Sequence, residues 1–544
     1  MAVITLDKKE IKKIIGKKDI DETLAMFGTC IEKIKETEIE VEIAPNRPDL
    51  LSKQGFLRAF SAYMDKLKIK DYKIKSSNYK IIVDKSVSKI RPYSMAAVVK
   101  GVKFTDEKIK EIMQWQEKIH STIGRNRKKV ALGYYILGKI KFPVKYTADE
   151  PKNINFIPLE MSEKMNALRI LSAHPCGRDY GNLLEGLSKL PVYYDSNNEV
   201  LSLPPIINSN DSGKIIPGVT DIFIECSGTE QKILNKVIAM AVCDLIDQGG
   251  KAYSVSVIYG KKKETADLKP EKMPFSIDFI NKILGLSLNE AQVKKLLEKM
   301  GIGFKKENRK PAALIPSYRT DIMHEVDIAE EIAIAYGYDK FIPEIPQIST
   351  IGEEDKISIF KRKISEILVG LGLLEISTYH LSTKENQFRK IGLKDEENLI
   401  EVTGAKTENN VLRISLLSQS IHILSENSDS SYPQKIFELG KVFYADKNFE
   451  TGIGEKEQLC ISLCSEKANF TEIKQVLDYL MRMIDREYEI KESKHFTFID
   501  GRCGEIFVSG KSIGFIGEIN PGILNSNKIK LPVASLEISI NGII

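Results

Sequence analysis

Residues 317–341, SYRTDIMHEVDIAEEIAIAYGYDKF, bring several acidic side chains to the start of an apolar helical pattern. The candidates for metal ligands in this segment are Asp321, Asp327, Glu330 and Glu331. Carboxylate oxygens are hard ligands that suit magnesium rather than zinc or copper. Asp327 and Glu331 lie one helical turn apart and can meet, whereas Glu330 and Glu331 diverge by about 100°. Acidic residues also favour the positive end of a helix dipole. The segment therefore leaves two interpretations open, a magnesium site or an ordinary helix start.

Two amphipathic helical patterns precede this segment. They are SIDFINKILG at 276–285 and SLNEAQVKKLLEKMG at 287–301, and each ends in a glycine that can cap a helix. Ser287 and Glu290 have the spacing of a capping box. A hairpin-like stretch, IGFKKENRKPAALIP, follows. This order predicts a helix-turn-helix or winged-helix-like domain, a shape that binds nucleic acid or only packs.

The rest of the chain indicates a mixed α+β protein of several domains, because 544 residues exceed the usual size of one domain. Strand-like stretches such as SMAAVVKGVKF, KVALGYYIL and DIFIECS alternate with helical ones in the middle of the chain. After a proline-rich linker, the C-terminal part opens with a helix and continues mainly through strands. We predict domains at 1–76, 77–265, 266–346 and 350–544.

Composition limits the class of protein only loosely. Lys and Arg number 80 against 75 Asp and Glu, a net charge of +5 that permits nucleic-acid binding without indicating it. The seven cysteines are scattered, which favours reduced thiols and a cytoplasmic location. The longest apolar runs are shorter than the roughly 20 residues of a membrane-spanning helix. We therefore expect a soluble cytoplasmic protein.

One compact basic cluster, GRNRKK at 124–129, follows an amphipathic helix. Its charged residues suit phosphate groups and suit a solvated surface equally well. They are Arg125, Arg127, Lys128 and Lys129. The sequence has no phosphate loop, no G-x-S-x-G and no H-E-x-x-H motif, so the residues alone do not identify a reaction.

Several longer stretches resemble one known family from end to end. They are APNRPDLLSKQGFLRAF, YDSNNEVLSLPPIINS, DIFIECSGTE, GRCGEIFVSGKSIGFIGEINPGIL and the segment at 317–341. The chain is identified by them as a member of the phenylalanine-tRNA ligase β subunits of the archaeal and eukaryotic type.

This resemblance implies a partner and a reaction. In the family the β subunit joins a catalytic α subunit in an (αβ)₂ heterotetramer, which attaches phenylalanine to tRNA-Phe with ATP and magnesium. ATP would act as substrate at the α subunit, and the resemblance implies no DNA or membrane role. It also implies an editing domain at 77–265 and a C-terminal domain of class II synthetase shape, an antiparallel sheet with helices, that is catalytically silent. Consistent with this, VASLEISI near the C terminus contains no arginine that could hold ATP.

The resemblance also assigns two groups of site residues. The first group contains the acidic residues that correspond to the positions which the family uses for magnesium near the α subunit. They are Asp321, Asp327, Glu330 and Glu331. An editing pocket would hydrolyse tyrosine wrongly attached to tRNA-Phe, with Glu225 as the acceptor for the tyrosine hydroxyl. The residues of that pocket are Tyr193, Ser202, Asn208 and Glu225. Turn capping is the alternative role for Ser202 and Asn208, and a non-catalytic RNA-binding or assembly scaffold that has lost editing is the alternative function.

Overall fold

The computed structural model describes residues 2–307, 310–393 and 399–544. Helices and sheets alternate along the chain, so the prediction of a mixed α+β multidomain protein is confirmed. The described chain divides into two compact units, residues 1–345 and 346–544.

The N-terminal part of the first unit is a small antiparallel sheet in the order β1-β3-β2, with helices packed on it. The alternation in EIEVEI faces Ile39, Val41 and Ile43 inward, as a half-buried strand requires. Asp7 caps the first helix through its side chain. The elements are β1 (Ala2–Asp7), α1 (Lys8–Ile15), α2 (Ile20–Met26), β2 (Cys30–Ile34), β3 (Glu38–Ile43) and α3 (Lys53–Tyr63).

A larger sheet follows, in the order β13-β12-β11-β8-β5-β15-β6-β14-β7, with β4 and β16 also paired to β15. Its strands are β4 (Ile74–Lys75), β5 (Lys80–Val83), β6 (Tyr93–Lys100), β7 (Val130–Ile136), β8 (Val144–Asp149), β11 (Leu190–Tyr194), β12 (Val200–Leu203), β13 (Ile207–Asn208), β14 (Ile222–Gly228), β15 (Lys251–Tyr259) and β16 (Lys261–Thr265). Outside it lie α4 (Asp106–Ser121), β9 (Asn155–Phe156), β10 (Met165–Asn166), α5 (Ala167–Ala173), α6 (Pro175–Tyr180), α7 (Asn210–Gly213) and α8 (Gln231–Asp247).

The two ends of this sheet order meet in space. Arg127, just before β7, donates from Nη1 to the carbonyl oxygens of Pro205 (3.3 Å) and Ile206 (2.7 Å), just before β13. Its Nη2 donates to Glu117 on α4 at 2.8 Å. The hydroxyl of Tyr135 on β7 lies 3.1 Å from Oδ1 of Asn208 on β13. The sheet therefore curls until its first and last strands are joined by side chains.

The last part of the first unit combines helices with the sheet β17-β19-β18. Its elements are β17 (Glu271–Pro274), α9 (Ile277–Leu284), α10 (Glu290–Lys299), β18 (Gly303–Glu307), β19 (Lys310–Ile315) and α11 (Glu325–Tyr336). The predicted helices and hairpin are present, but the capping box of α10 is made by Asn289 and Gln292. The predicted pair, Ser287 and Glu290, was wrong by two residues because helix ends are the least certain part of a sequence pattern.

The second unit is built on a sheet in the order β20-β23-β24-β28-β27-β26-β25. Neighbouring strands are antiparallel, except that β20 and β23 are parallel. The elements are α12 (Lys356–Gly370), β20 (Leu374–Glu375), β21 (Leu381–Ser382), α13 (Lys384–Gln387), β22 (Val411–Leu412), α14 (Leu416–Glu426), β23 (Gln434–Ala445), β24 (Ile453–Cys464), α15 (Phe470–Met483), β25 (Glu489–Glu492), β26 (Phe498–Val508), β27 (Lys511–Ile519), α16 (Pro521–Ser526) and β28 (Val533–Ser539).

The composition led us to expect reduced cysteines and no membrane-spanning helix. The cysteines within the described ranges are free thiols, most of them buried. None of the helices in the described part of the chain is long and apolar enough to span a bilayer.

The closure of the large sheet yields a stability prediction. We expect Arg127→Ala to lower the free energy of unfolding by about 3 kcal/mol, because two carbonyls and a carboxylate lose their donor. Arg125→Ala is the matched control, since Arg125 lies in the same turn but is exposed, and should change stability by less than about 0.5 kcal/mol. Urea unfolding followed by the fluorescence of Trp115, the sole tryptophan, measures both. Equal midpoints for the two variants would contradict the closing role of Arg127.

Candidate functional site

Glu225 lies in the middle of β14, an interior strand between β6 and β7 whose seven residues are all buried. Its partners in register are Ala96 on β6 and Gly133 on β7. A Cβ atom on Gly133 would stand 2.6 Å from the Tyr135 hydroxyl and 2.9 Å from Glu225 Oε1. Because Ala96 and Gly133 are small, they leave the space that the Glu225 carboxylate and the Tyr135 phenol fill.

The Tyr135 side chain holds one oxygen of this carboxylate. Its hydroxyl donates to Glu225 Oε1 at 2.9 Å and lies 3.1 Å from Asn208 Oδ1. Burial, and then the charge of Glu225, raise the pKa of Tyr135 well above its ordinary value, so the phenol keeps its proton. The other carboxylate oxygen, Glu225 Oε2, is buried and makes no hydrogen bond within the described residues.

Tyr193, Ser202 and Asn208 lie side by side on adjacent strands. Tyr193 pairs with Ser202 across β11 and β12, and Ser202 pairs with Asn208 across β12 and β13. The Tyr193 ring stacks on Tyr146 with centroids 4.3 Å apart, and its hydroxyl donates to Ser94 Oγ at 2.7 Å. The structure therefore brings the predicted pocket residues into one region, with Tyr135 connecting Asn208 to Glu225.

The electrostatics of this region are those of a carboxyl group removed from water. Burial raises the pKa of Glu225 to about 7, against the opposing effects of the Tyr135 hydrogen bond, the charge of Arg91 and the nearby Tyr193 hydroxyl. Glu225 is only 4% exposed. Ser202 Oγ is also buried and makes no hydrogen bond of ordinary geometry among the residues described, although it is close enough to Tyr135 to oppose the rise in the pKa of that phenol. Unpaired buried polar atoms are costly, and they are the groups that a bound hydroxyl could satisfy.

Sequence reasoning missed several residues of this region, among them Tyr135, Tyr146, Ser94 and Arg91. The strand pattern KVALGYYIL gave a usable signal, since Gly133 and Tyr135 are two apart and must share a face of β7. What the sequence could not supply was the pairing of β7 with β14.

The acidic segment at 321–331 is organised by an arginine. Arg319 is buried and donates from Nε (2.8 Å) and Nη2 (2.6 Å) to the two carboxylate oxygens of Asp321. Its Nη1 and Nη2 also lie 3.1 and 2.8 Å from the carboxylate oxygens of Glu331. Burial alone would raise the pKa of Asp321, but the hydrogen bonds and charge of Arg319 outweigh it and lower that pKa.

The remaining two acidic residues have other positions. Asp327 Oδ2 accepts the backbone N–H groups of Met323 and His324, both at 2.7 Å, and so caps α11. Glu330 is exposed on the helix surface. Within residues 2–307, 310–393 and 399–544 no group of three or more Asp, Glu, His or Cys could hold a metal ion. The four carboxylates do not form a ligand set in this chain, and magnesium binding stays a prediction.

The basic cluster at 124–129 separates into different roles. Residues 125–127 have left-handed backbone, with φ of 48°, 52° and 65°. Arg127 is 7% exposed, and its hydrogen bonds to the carbonyls before β13 and to Glu117 occupy its guanidinium. The guanidinium carbon lies 4.2 Å from the ring centroid of Tyr180. Lys129 forms an ion pair with Glu230. Arg125 and Lys128 are exposed and remain the candidates for phosphate contact.

Family models and solved structures show which known proteins this chain is similar to. Residues 342–540 match the phenylalanyl-tRNA synthetase beta chain CLM domain, and residues 273–338 match the tRNA synthetase B5 domain. The chain resembles an N-terminal fragment of the phenylalanyl-tRNA synthetase β-subunit from Pyrococcus horikoshii. That alignment has a TM-score of 0.58 and 32% sequence identity, and covers 61% of this chain and 99% of the fragment.

Full-length relatives extend the similarity over the whole chain. A phenylalanine–tRNA ligase beta subunit of Archaeoglobus fulgidus is 37% identical, with 99% of this chain and 98% of that protein aligned. The corresponding protein of Thermococcus sibiricus is 36% identical, over 98% of this chain and 97% of its own length. The chain therefore belongs to the family of phenylalanine–tRNA ligase beta subunits.

Proposed function

We propose that this chain works with a catalytic α subunit in an (αβ)₂ heterotetramer and hydrolyses tyrosine wrongly attached to tRNA-Phe. The proposed hydrolytic site is the region around Glu225, Tyr193, Ser202 and Asn208. The observation that carries this proposal is the unpaired, buried oxygen Glu225 Oε2. It is an acceptor without a donor, and the hydroxyl that distinguishes tyrosine from phenylalanine is such a donor.

The physical need for such a site follows from the size of the difference between the two amino acids. A pocket that accepts phenylalanine rejects an analogue with one added hydroxyl only weakly, so accuracy benefits from a second, hydrolytic selection. A site built to hydrogen-bond that hydroxyl discriminates more strongly, because the analogue without it leaves buried polar groups unpaired. This region offers no side-chain nucleophile paired with a base among the described residues, which suits a pocket that positions the ester and water.

The division of labour with the α subunit is supported by the second unit. Its most deeply buried arginine, Arg413, donates from Nη1 to Glu438 at 2.7 Å and to Thr378 Oγ1 at 2.8 Å, and from Nε to the Lys441 carbonyl at 2.7 Å. A guanidinium held in this way has little capacity left for a nucleotide phosphate. We infer that amino-acid activation with ATP takes place on the α subunit. Contact with tRNA through Arg125 and Lys128 and a cytoplasmic location belong to the same proposal.

The acidic segment has a separate role in this proposal. Within this chain Arg319 neutralises Asp321 and Glu331, and Asp327 stabilises the start of α11. Magnesium near the α subunit would need ligands from that partner or a rearrangement of these ion pairs. The proposed hydrolysis of the tyrosine ester does not involve this magnesium.

The editing proposal is tested with tRNA-Phe carrying tyrosine. We expect the full-length chain, alone or co-purified with an α subunit, to release tyrosine, and Glu225→Ala to lower the rate about tenfold or more because the hydroxyl loses its acceptor. Glu230→Ala is the control, since it removes an acidic residue of the same domain that only forms a surface ion pair. A Glu225→Ala rate equal to the control would remove the assignment, and a chain that releases no tyrosine would favour the scaffold function.

The capping role is tested by comparing Asp327→Asn with Glu330→Gln. We expect Asp327→Asn to lower the free energy of unfolding by about 1 kcal/mol, because the N–H groups of Met323 and His324 lose a charged acceptor. Glu330→Gln should leave it within about 0.5 kcal/mol. Thermal unfolding of both variants with and without magnesium chloride measures the effect. A wild-type transition raised by magnesium, with that rise absent in both variants, would instead support a metal site.

A further inference from the structure

The proposed function gives Tyr135 no part in editing, yet this residue makes the direct contact with Glu225. It is fully buried on β7, and its hydroxyl oxygen lies 2.9 Å from Glu225 Oε1 and 3.1 Å from Asn208 Oδ1. A phenol held against a buried carboxylate is the same pair of groups that tyrosine recognition would need. The Tyr135 phenol can therefore influence how the Glu225 carboxylate accepts a hydroxyl group from a ligand.

The geometry points to Tyr135 as a positioning residue for tyrosine editing, a role that rests on the proposed function of the site. We propose that the Tyr135 hydroxyl fixes Glu225 through Oε1, so that Oε2 is the carboxylate oxygen left to accept the hydroxyl of the misacylated tyrosine. The residue would thereby set the selectivity of the pocket for a phenol over a phenyl ring.

The first support is steric. Gly133 is the register partner of Glu225, and any side chain there would collide with both the Tyr135 hydroxyl and Glu225 Oε1. The absence of a Cβ thus matters at the one point where the phenol meets the carboxylate. The Tyr135 hydroxyl also lies 3.1 Å from Asn208 Oδ1, so the phenol stands between β14 and β13.

The second support is electrostatic. A carboxylate in a buried site loses hydration, and it stays ionised only where donors or positive charges compensate. The titratable or charged groups that interact with Glu225 belong to several elements, and they are Tyr135, Tyr193, Tyr146 and Arg91. Cys226, the next residue of β14, points to the opposite face and interacts with Glu225 only through the charge of the carboxylate. Burial raises the pKa values of the three tyrosines and of Cys226, so these groups are neutral at pH 7. Glu225 is the member of this set that titrates near neutrality.

Removal of the Tyr135 hydroxyl should therefore act on Glu225 in a defined direction. Without this donor the ionised form is less stabilised, and the pKa of Glu225 rises further above about 7. A rise of about one unit would reduce the ionised fraction at pH 7 about fivefold. The ionised carboxylate is the stronger acceptor, so tyrosine release should fall at pH 7 and recover as the pH increases.

The test compares Tyr135→Phe with Tyr134→Phe in the full-length chain co-purified with an α subunit. Tyr134 is the adjacent residue of β7, buried like Tyr135 but on the opposite face of the strand, so its variant removes a buried hydroxyl away from Glu225. We expect Tyr135→Phe to move the acidic limb of the pH profile for tyrosine release upward by about one unit, with a rate at pH 7 about fivefold lower. Tyr134→Phe should keep the wild-type profile.

A second measurement does not depend on hydrolysis. Infrared difference spectra recorded during a pH titration show the carboxyl band of Glu225, which is assigned by its loss in Glu225→Gln. We expect this band to titrate at higher pH in Tyr135→Phe than in the wild type. An unchanged titration, or a rate lowered equally at every pH, would overturn the role of Tyr135. A Glu225→Ala variant that edits normally would instead overturn the proposed function, whatever the infrared titration shows.

Discussion

The join between the first and last strands of the large sheet is the constraint on which the candidate site depends. Arg127, in the turn before β7, donates to carbonyls just before β13, and Tyr135 on β7 contacts Asn208 on β13. Glu225, on the neighbouring strand β14, is buried. Burial of a carboxyl group costs several kcal/mol unless donors compensate. The same closure that removes Glu225 from water also supplies its donor, since Tyr135 belongs to the strand that completes the join.

Much of this architecture could be predicted from the sequence, because strands and helices carry periodic signals. The alternation in EIEVEI and the all-buried stretch DIFIECS both correspond to strands of the structure. Tyr193, Ser202 and Asn208 also lie together as expected, since neighbouring strands joined by short turns bring nearby residues into register. Tyr135 could not be placed in this way, because its contact with Glu225 spans 90 positions of the chain.

Charged residues show a different limit of sequence reasoning. Arg125 and Arg127 are two positions apart in one basic cluster, yet one is exposed and the other joins the ends of the sheet. Asp321 and Glu331 form a plausible metal pair by composition, but the same segment contains Arg319, which binds both. The number of charged residues in a segment does not indicate which of their side chains are buried and which are exposed. That choice depends on backbone positions fixed elsewhere, here by the turn at 125–127 and by the start of α11.

The two ways in which this chain treats buried charge bear on its function. Asp321, Glu331 and Glu438 are each matched by a buried arginine, so their oxygens already have the partners that stabilise the fold. Glu225 is not matched in this way: a neutral phenol holds one oxygen, the other is unpaired in the described chain, and burial raises its pKa to about 7. A carboxylate that served only stability would gain by pairing both oxygens. In the proposed function the hydroxyl of the wrongly attached tyrosine would supply the donor that this oxygen lacks.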